Sequence, residues 1–284
     1  MDFDLRELFG YELSQIPTAL FADDGSLRPA TSKSKLKLAL EVEMSRRTIL
    51  PPQVIVLDGC AVLWSIHWPV PGTINDLITS VETYLRRKLD NSDVYLIFDR
   101  YYPYSPKGGT RNNRIRVCDH FHLTTSSPLP SQTASLSITH NKIQIIDLLC
   151  DALIGRFQKE HAAKKLIITG SDPVPHSVQA GIYTQRTDLR VTQEEADVII
   201  VNQVVKIAQE NCTSVHVVCD DTDVFVLLIH FYASQDLHTN IYMVPTNTTR
   251  SAVDIGATAR QHHDIVQYVL PLHALTGCDT ISTI

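Results

Sequence analysis

The sequence predicts an α/β fold with a mostly parallel central sheet flanked by helices. Three observations carry that expectation. Short, continuous apolar runs such as VIVLD, YLIFD and VHVVCD each close on an acidic residue, and such runs suit strands covered on both faces. Stretches with helical spacing stand between them, and strands alternating with helices indicate parallel crossovers. Finally, 284 residues with 44% hydrophobic and 20% charged side chains suffice for a substantial core.

Residues 1–50 read as short helices and loops, with the helical stretch SKLKLALEVEMSRRTI after the loop DDGSLRPATSKS. They are expected to form an extension packed on a single domain spanning 51–284. That domain opens with PPQVIVLDG, where two prolines precede a buried strand closed by Asp58 and Gly59. INDLITSVETYLRRKL spaces Ile74, Leu77, Ile78, Val81 and Leu85 as one helix face. DVYLIFD (93–99) is a second buried strand. Residues 100–140, rich in Pro, Ser, Gly, Thr and Arg, read as a long loop or partly helical excursion, of a length that is usually functional or disordered. A helix (141–161) and a third strand, KKLIITG, follow. TQEEADVIIVNQVVKIAQEN is expected as a helix opened by Thr192, with acids in its first turn. SVHVVCDDTD is a fourth strand, DVFVLLIHFYA a helix, and NIYMVPT a fifth strand expected at the sheet edge. AVDIGATARQHH and IVQYVLPLHAL read as helices before the turn TGCDT.

No apolar run approaches the roughly 18 residues of a membrane span, and the start, MDFDLRELFGYEL, lacks the order of a secretory signal. Six cysteines are scattered without a CxxC pair, which favours reduced thiols and an intracellular, nuclear or cytoplasmic setting. The net charge of −6 argues against a strongly basic nucleic-acid coat. Charge is uneven, however: Arg100, Lys107, Arg111, Arg114 and Arg116 run without an intervening acid, and a local patch can steer polyanions on an acidic protein.

Parallel strands bring their ends to one edge, where ligands of open α/β sheets bind. Here Asp58, Asp99 and the group Asp220, Asp221 and Asp223 end strand patterns. Gathered carboxylates repel by roughly 4 kcal/mol per pair at about 4 Å and an effective dielectric near 20, so they call for a cation. Oxygen-only ligands suit Mg²⁺ or Mn²⁺. Each acid also has a plainer reading. An Asp after a strand commonly forms a turn or caps a helix, and Glu194, Glu195 and Asp197 would complement a helix dipole. Other signals are weaker. Twelve histidines, including His120/His122 and His262/His263, lack a partnered zinc motif. Trp64 and Trp68 suit core packing better than base stacking, and His273 suits the core or a position behind a ligand.

The ordered motifs VIVLDG, YLIFDR, QEEADVII, VVCDDTDVFVLL and ALTGCDT resemble the PIN-like superfamily, and within it the flap-endonuclease (XPG-type) branch. The chain also resembles uncharacterised eukaryotic PIN-like proteins that share the YELSQIPTALF start and TGCDT end. The resemblance implies a Rossmann-like three-layer fold and two-metal phosphodiester hydrolysis with two Mg²⁺ or Mn²⁺ ions. Asp58 and Asp99 would belong to the first ion, and Asp221, Asp223 and Asp279 to the second. Glu195 and Asp197 would lie between them. Lys107 and Arg114, with Arg111 as a substitute, would contact the scissile phosphate, and Arg100 and Arg116 would extend the nucleic-acid surface. Three departures stand out. FDR replaces FDG, so Arg100 is expected to crowd or salt-bridge the site. Asp197 replaces a Glu. The duplex-gripping helix-hairpin-helix expected after Asp279 is missing, which points to a truncated domain acting on single-strand or structured DNA or RNA. The alternatives are a catalytically inactive PIN-like module that binds nucleic acid or protein, and a haloacid-dehalogenase-like phosphatase using the Asp-x-Asp.

Overall fold

A nine-stranded sheet organises the computed structural model, which describes residues 21–22, 24–26, 33–101, 122–160 and 162–276. In chain order its strands are β1 (Glu43–Met44), β2 (Val54–Asp58), β3 (Asp93–Ile97), β4 (Leu166–Thr169), β5 (His176–Gln179), β6 (Ile182–Gln185), β7 (Ser214–Val218), β8 (Asn240–Met243) and β9 (Ala252–Asp254). Their spatial order is β1-β9-β8-β7-β2-β3-β4-β5-β6. The middle of the sheet, from β8 to β4, is parallel, and both flanks are antiparallel.

The continuous apolar runs behave as expected of strands covered on both sides. Along β2, Val54 and Val56 face one core while Ile55 and Leu57 face the other, and β3 divides Tyr95 and Ile97 from Val94 and Leu96 in the same way. The first layer contains α6 (Ala196–Gln209), α7 (Thr222–Ser234), α8 (Ile255–Gln261) and α9 (Val266–Thr276). The second contains α2 (Gly59–Ser65), α3 (Ile74–Leu89), α4 (Gln132–Leu136) and α5 (Thr139–Gln158). Helix α3 shows how local chemistry supports the frame. Thr73 and Asp76 form a reciprocal capping box, Arg86, Arg87 and Lys88 sit in the last turn, and the five predicted apolar positions are all buried. The short helix α1 (Ser34–Leu40) packs against α7.

Several local expectations are corrected, and one element was unanticipated. The helix over SKLKLALEVEMSRRTI ends at Leu40, and Glu43–Met44 joins the sheet as β1. NIYMVPT is not an edge strand: β8 is covered by β9, and β9 in turn pairs with β1. Ala252–Asp254, expected as helix, is that covering strand, because it continues the ladder before Asp254 caps α8 through Ala257 N–H. The hairpin β5–β6 was unanticipated, since its polar alternation HSVQ/IYTQ lacks the apolar run that marks the central strands. Helix α6 begins at Ala196 rather than at Thr192.

This topology places one crevice. From β2 the chain leaves through α2 into one layer, and from β7 it leaves through α7 into the other. The adjacent carboxyl ends of β2 and β7 therefore open between diverging helices, the switch point at which open α/β sheets bind ligands.

Candidate metal centre

Asp58 ends β2 and caps α2, its Oδ1 accepting from the N–H groups of Cys60 (2.8 Å) and Ala61 (3.0 Å). Gly59 keeps that turn tight: a Cβ there would come within 2.4 Å of the Phe98 ring. Asp221 ends the β7 segment and caps α7, accepting from Asp223 N–H at 2.6 Å. Asp99 stands two residues beyond β3, and its Oδ1 accepts from Ala196 N–H at 3.0 Å. It thus supplies to α6 a cap that the side chain of Glu195, the residue at the N-cap, does not provide. The helix-cap reading and the shared-cluster reading hold together, because caps on adjacent strand ends converge on one edge.

Asp197, in the first turn of α6, meets Asp221 and Asp223 there. One oxygen from each of these three lies within 4.8 Å of the others, a spacing that could hold a metal ion. Burial, and then the charges of Asp221, Asp58, Asp99 and Asp223, push Asp197 up to about 8. Burial above all also raises Asp58, with the charge of Asp99 adding to it against the donors from α2. A half-buried acid that cannot ionise comfortably among other acids is what a cation would relieve. The all-oxygen donor set fits a hard divalent ion such as Mg²⁺ or Mn²⁺.

Protein cations already meet part of this charge. Lys142 of α5 donates to Asp99 Oδ2 at 3.2 Å, where Tyr101 Oη also donates at 3.1 Å. Burial works to raise Asp99, yet the Lys142 ammonium, the Ala196 N–H and the Tyr101 hydroxyl together hold it below the usual range. The buried His273 of α9 lies 2.5 Å from Asp223 Oδ1, and Lys33 lies 3.3 Å from Oδ2. The His273 hydrogen bond is the main reason Asp223 is held low, against its burial and with help from Lys33. Asp220 points away to Lys37 (2.6 Å) and Arg250, tying α1 and the loop after β8 to the end of β7. Burial pushes the Cys60 thiol up to about 12, so it stays a neutral neighbour 3.7 Å from Asp99 Oδ2.

Among the sequence candidates, then, Asp197, Asp221 and Asp223 come together, and Asp58 and Asp99 lie within electrostatic reach. Glu195 is half-buried at the start of α6, outside the group of three. Asp279, Lys107, Arg111, Arg114 and Arg116 lie outside the described residues. Arg100 corrects its expectation: it is 1% exposed and donates to the carbonyls of Gly170 (3.2 Å), Asp172 (2.6 Å) and Val191. A side chain so enclosed braces the loops beyond β4 and before α6 and presents no surface to a nucleic acid. Trp68 is core and Trp64 half-exposed. Lys142 and Lys33 escaped sequence reasoning because neither sits in an acid-containing motif. Only the packing of α5 and the segment before α1 brings them to the strand ends.

No protein-family model matches the chain, and no curated protein sequence matches it. Among solved structures the chain is similar to human GEN1 in complex with Holliday junction DNA, with 10% identity and a TM-score of 0.40 over 87% of this chain. The chain spans 50% of that structure's length. At this distance the reading of the site rests on the chain's own geometry.

Proposed function

We propose that the chain is a divalent-metal-dependent nuclease of the PIN-like, flap-endonuclease type, acting on single-stranded or structured DNA or RNA. The observation that carries this reading is the convergence of Asp197, Asp221 and Asp223 on the β2/β7 crevice, with Asp197 pushed up to about 8. The motif order over 54–279 supports it, with residues 1–50 as an extension on a 51–284 nuclease domain.

A bound Mg²⁺ or Mn²⁺ would polarise a phosphodiester and lower the pKa of a coordinated water. The chain's own residues prepare that chemistry. Asp197, Asp221 and Asp223 supply oxygen ligands, while His273 holds Asp223 in place as outer hydrogen-bond partners do in metal sites. The N–H groups at the starts of α2 and α7 orient Asp58 and Asp221. Asp58, Asp99, Glu195 and Asp279 would complete the acidic set, and Lys107, Arg111, Arg114 and Arg116 would position phosphate. No protein nucleophile is required.

A second reading is a binding module without catalysis. One observation favours it: both oxygens of Asp223 already have protein partners, the His273 imidazole and the Lys33 ammonium. The phosphatase alternative gains no support, because its Asp-x-Asp is expected early in the chain and here follows β7.

The test is cleavage of labelled single-stranded, flap and duplex DNA and RNA with Mn²⁺ or Mg²⁺, comparing wild type with Asp221→Ala/Asp223→Ala. Metal-dependent cutting lost in the double variant supports the nuclease. Substrate binding without cutting replaces it with the binding module.

A further inference from the structure

Asp99 has little left to offer a metal ion. Its Oδ1 accepts from Ala196 N–H at 3.0 Å. Its Oδ2 accepts from Lys142 Nζ at 3.2 Å and Tyr101 Oη at 3.1 Å, with Cys60 Sγ at 3.7 Å. A carboxylate has about four acceptor positions, and on Oδ2 two strong donors already occupy both. The ammonium is also enclosed: its side chain is 15% exposed, and the nitrogen lies 5.2 Å from the Tyr101 ring centroid. Asp58, the other acid on this side, spends Oδ1 on two N–H donors of α2. The three acids that do share a 4.8 Å neighbourhood all lie on the α6/α7 side.

We infer that Lys142 is a built-in cation standing where a second divalent ion would sit, so that the site takes one ion, on Asp197, Asp221 and Asp223. This inference rests on the nuclease reading and changes its stoichiometry. Lys142 is a positioning residue: it holds Asp99 in place as the cap of α6, which carries Asp197. A divalent ion on Asp99 Oδ2 would have to displace the ammonium or share that oxygen with it, and on Oδ1 it would find one acceptor position on a carboxylate already paired with the ammonium; in both places like charges oppose it. A fixed +1 charge also stays in place when the divalent ion leaves, so the Asp58/Asp99 side keeps its arrangement in metal-free protein.

The experiment is Mn²⁺ binding to the full chain, followed by electron paramagnetic resonance of the free ion and by calorimetry. It needs no variant to be decisive. Wild type is expected to bind one Mn²⁺ tightly. Two equivalent tight sites in wild type would overturn the inference while leaving the nuclease reading intact. No binding at all would remove the nuclease reading, and this inference with it. Lys142→Gln, which loses the charge, is expected to raise the stoichiometry from one to two, whereas Lys142→Arg keeps it at one. A Gln variant that folds and still binds one ion would also overturn the role given to Lys142. Circular dichroism checks folding, and a merely structural lysine would not change the ion count.

Discussion

Replacing Asp197 by Asn removes one ionisable oxygen acid and almost no volume, so its consequences follow from charge. The Asp197 carboxyl is pushed up to about 8, by burial and then by Asp221, Asp58, Asp99 and Asp223. Its folded value lies above its unfolded one. Between those two pH values the folded protein therefore holds a proton that the unfolded chain has released. The stability this confers is complete below about pH 4 and is lost as pH rises through 8. Each pH unit crossed is worth up to about 1.4 kcal/mol, so metal-free wild type loses up to about 4 kcal/mol between pH 5 and 8. The neutral amide of the Asp197→Asn variant cannot titrate, and that variant lacks the loss. At pH 8 in chelator it is expected to be more stable than wild type by up to about 4 kcal/mol, although it is the poorer metal ligand. Urea denaturation at pH 5, 6, 7 and 8, read by fluorescence of the buried Trp68, measures both curves. Other groups that titrate in this range, His216 among them with its pKa lowered chiefly by burial, remain in both proteins, so the difference between the curves reports Asp197 together with the acids coupled to it. Parallel curves from pH 5 to 8 would show that Asp197 ionises in the folded protein as it does in the unfolded chain.

Further outcomes follow from the same contacts. His273→Gln removes the imidazole that holds Asp223, and Mn²⁺ affinity should fall about 10-fold to 100-fold, with the fold intact by circular dichroism. Arg100→Met leaves three loop carbonyls without their buried donor. Stability should drop by about 3 kcal/mol in chemical denaturation, and an unchanged midpoint would show that the loops are braced elsewhere. Gly59→Ala forces a methyl against the Phe98 ring. The expected cost is about 1–3 kcal/mol, together with weaker substrate cleavage as Asp58 shifts with α2.

The parallel middle of the fold was legible because its strands carry their own label. Runs such as VIVLD and VHVV are apolar on both faces, and only a doubly covered strand asks for that. The acids at their ends were legible for the same reason, since parallel strands share an edge. What escaped was whatever depends on contacts remote in sequence. Helix α6 starts four residues later than Thr192 suggests, because its cap comes from Asp99, 97 residues upstream. Lys142 reaches Asp99 across the sheet edge from α5, and no local spacing reports it. Arg100 followed an acidic strand end and read as a surface cation, yet the carbonyls of Gly170, Asp172 and Val191 enclose it. The β5–β6 hairpin was missed because a flanking strand needs no apolar run.

The measurement that bears most directly on the metal centre is the melting temperature of wild type and of Asp221→Ala/Asp223→Ala at pH 8, with and without Mn²⁺. A ligand at about 100 times its dissociation constant stabilises by about 2.7 kcal/mol, equivalent to roughly 5–10 °C for a domain of this size. A rise of that order is expected in wild type and none in the double variant. An equal rise in both, or no rise in wild type, would contradict a metal centre on these residues.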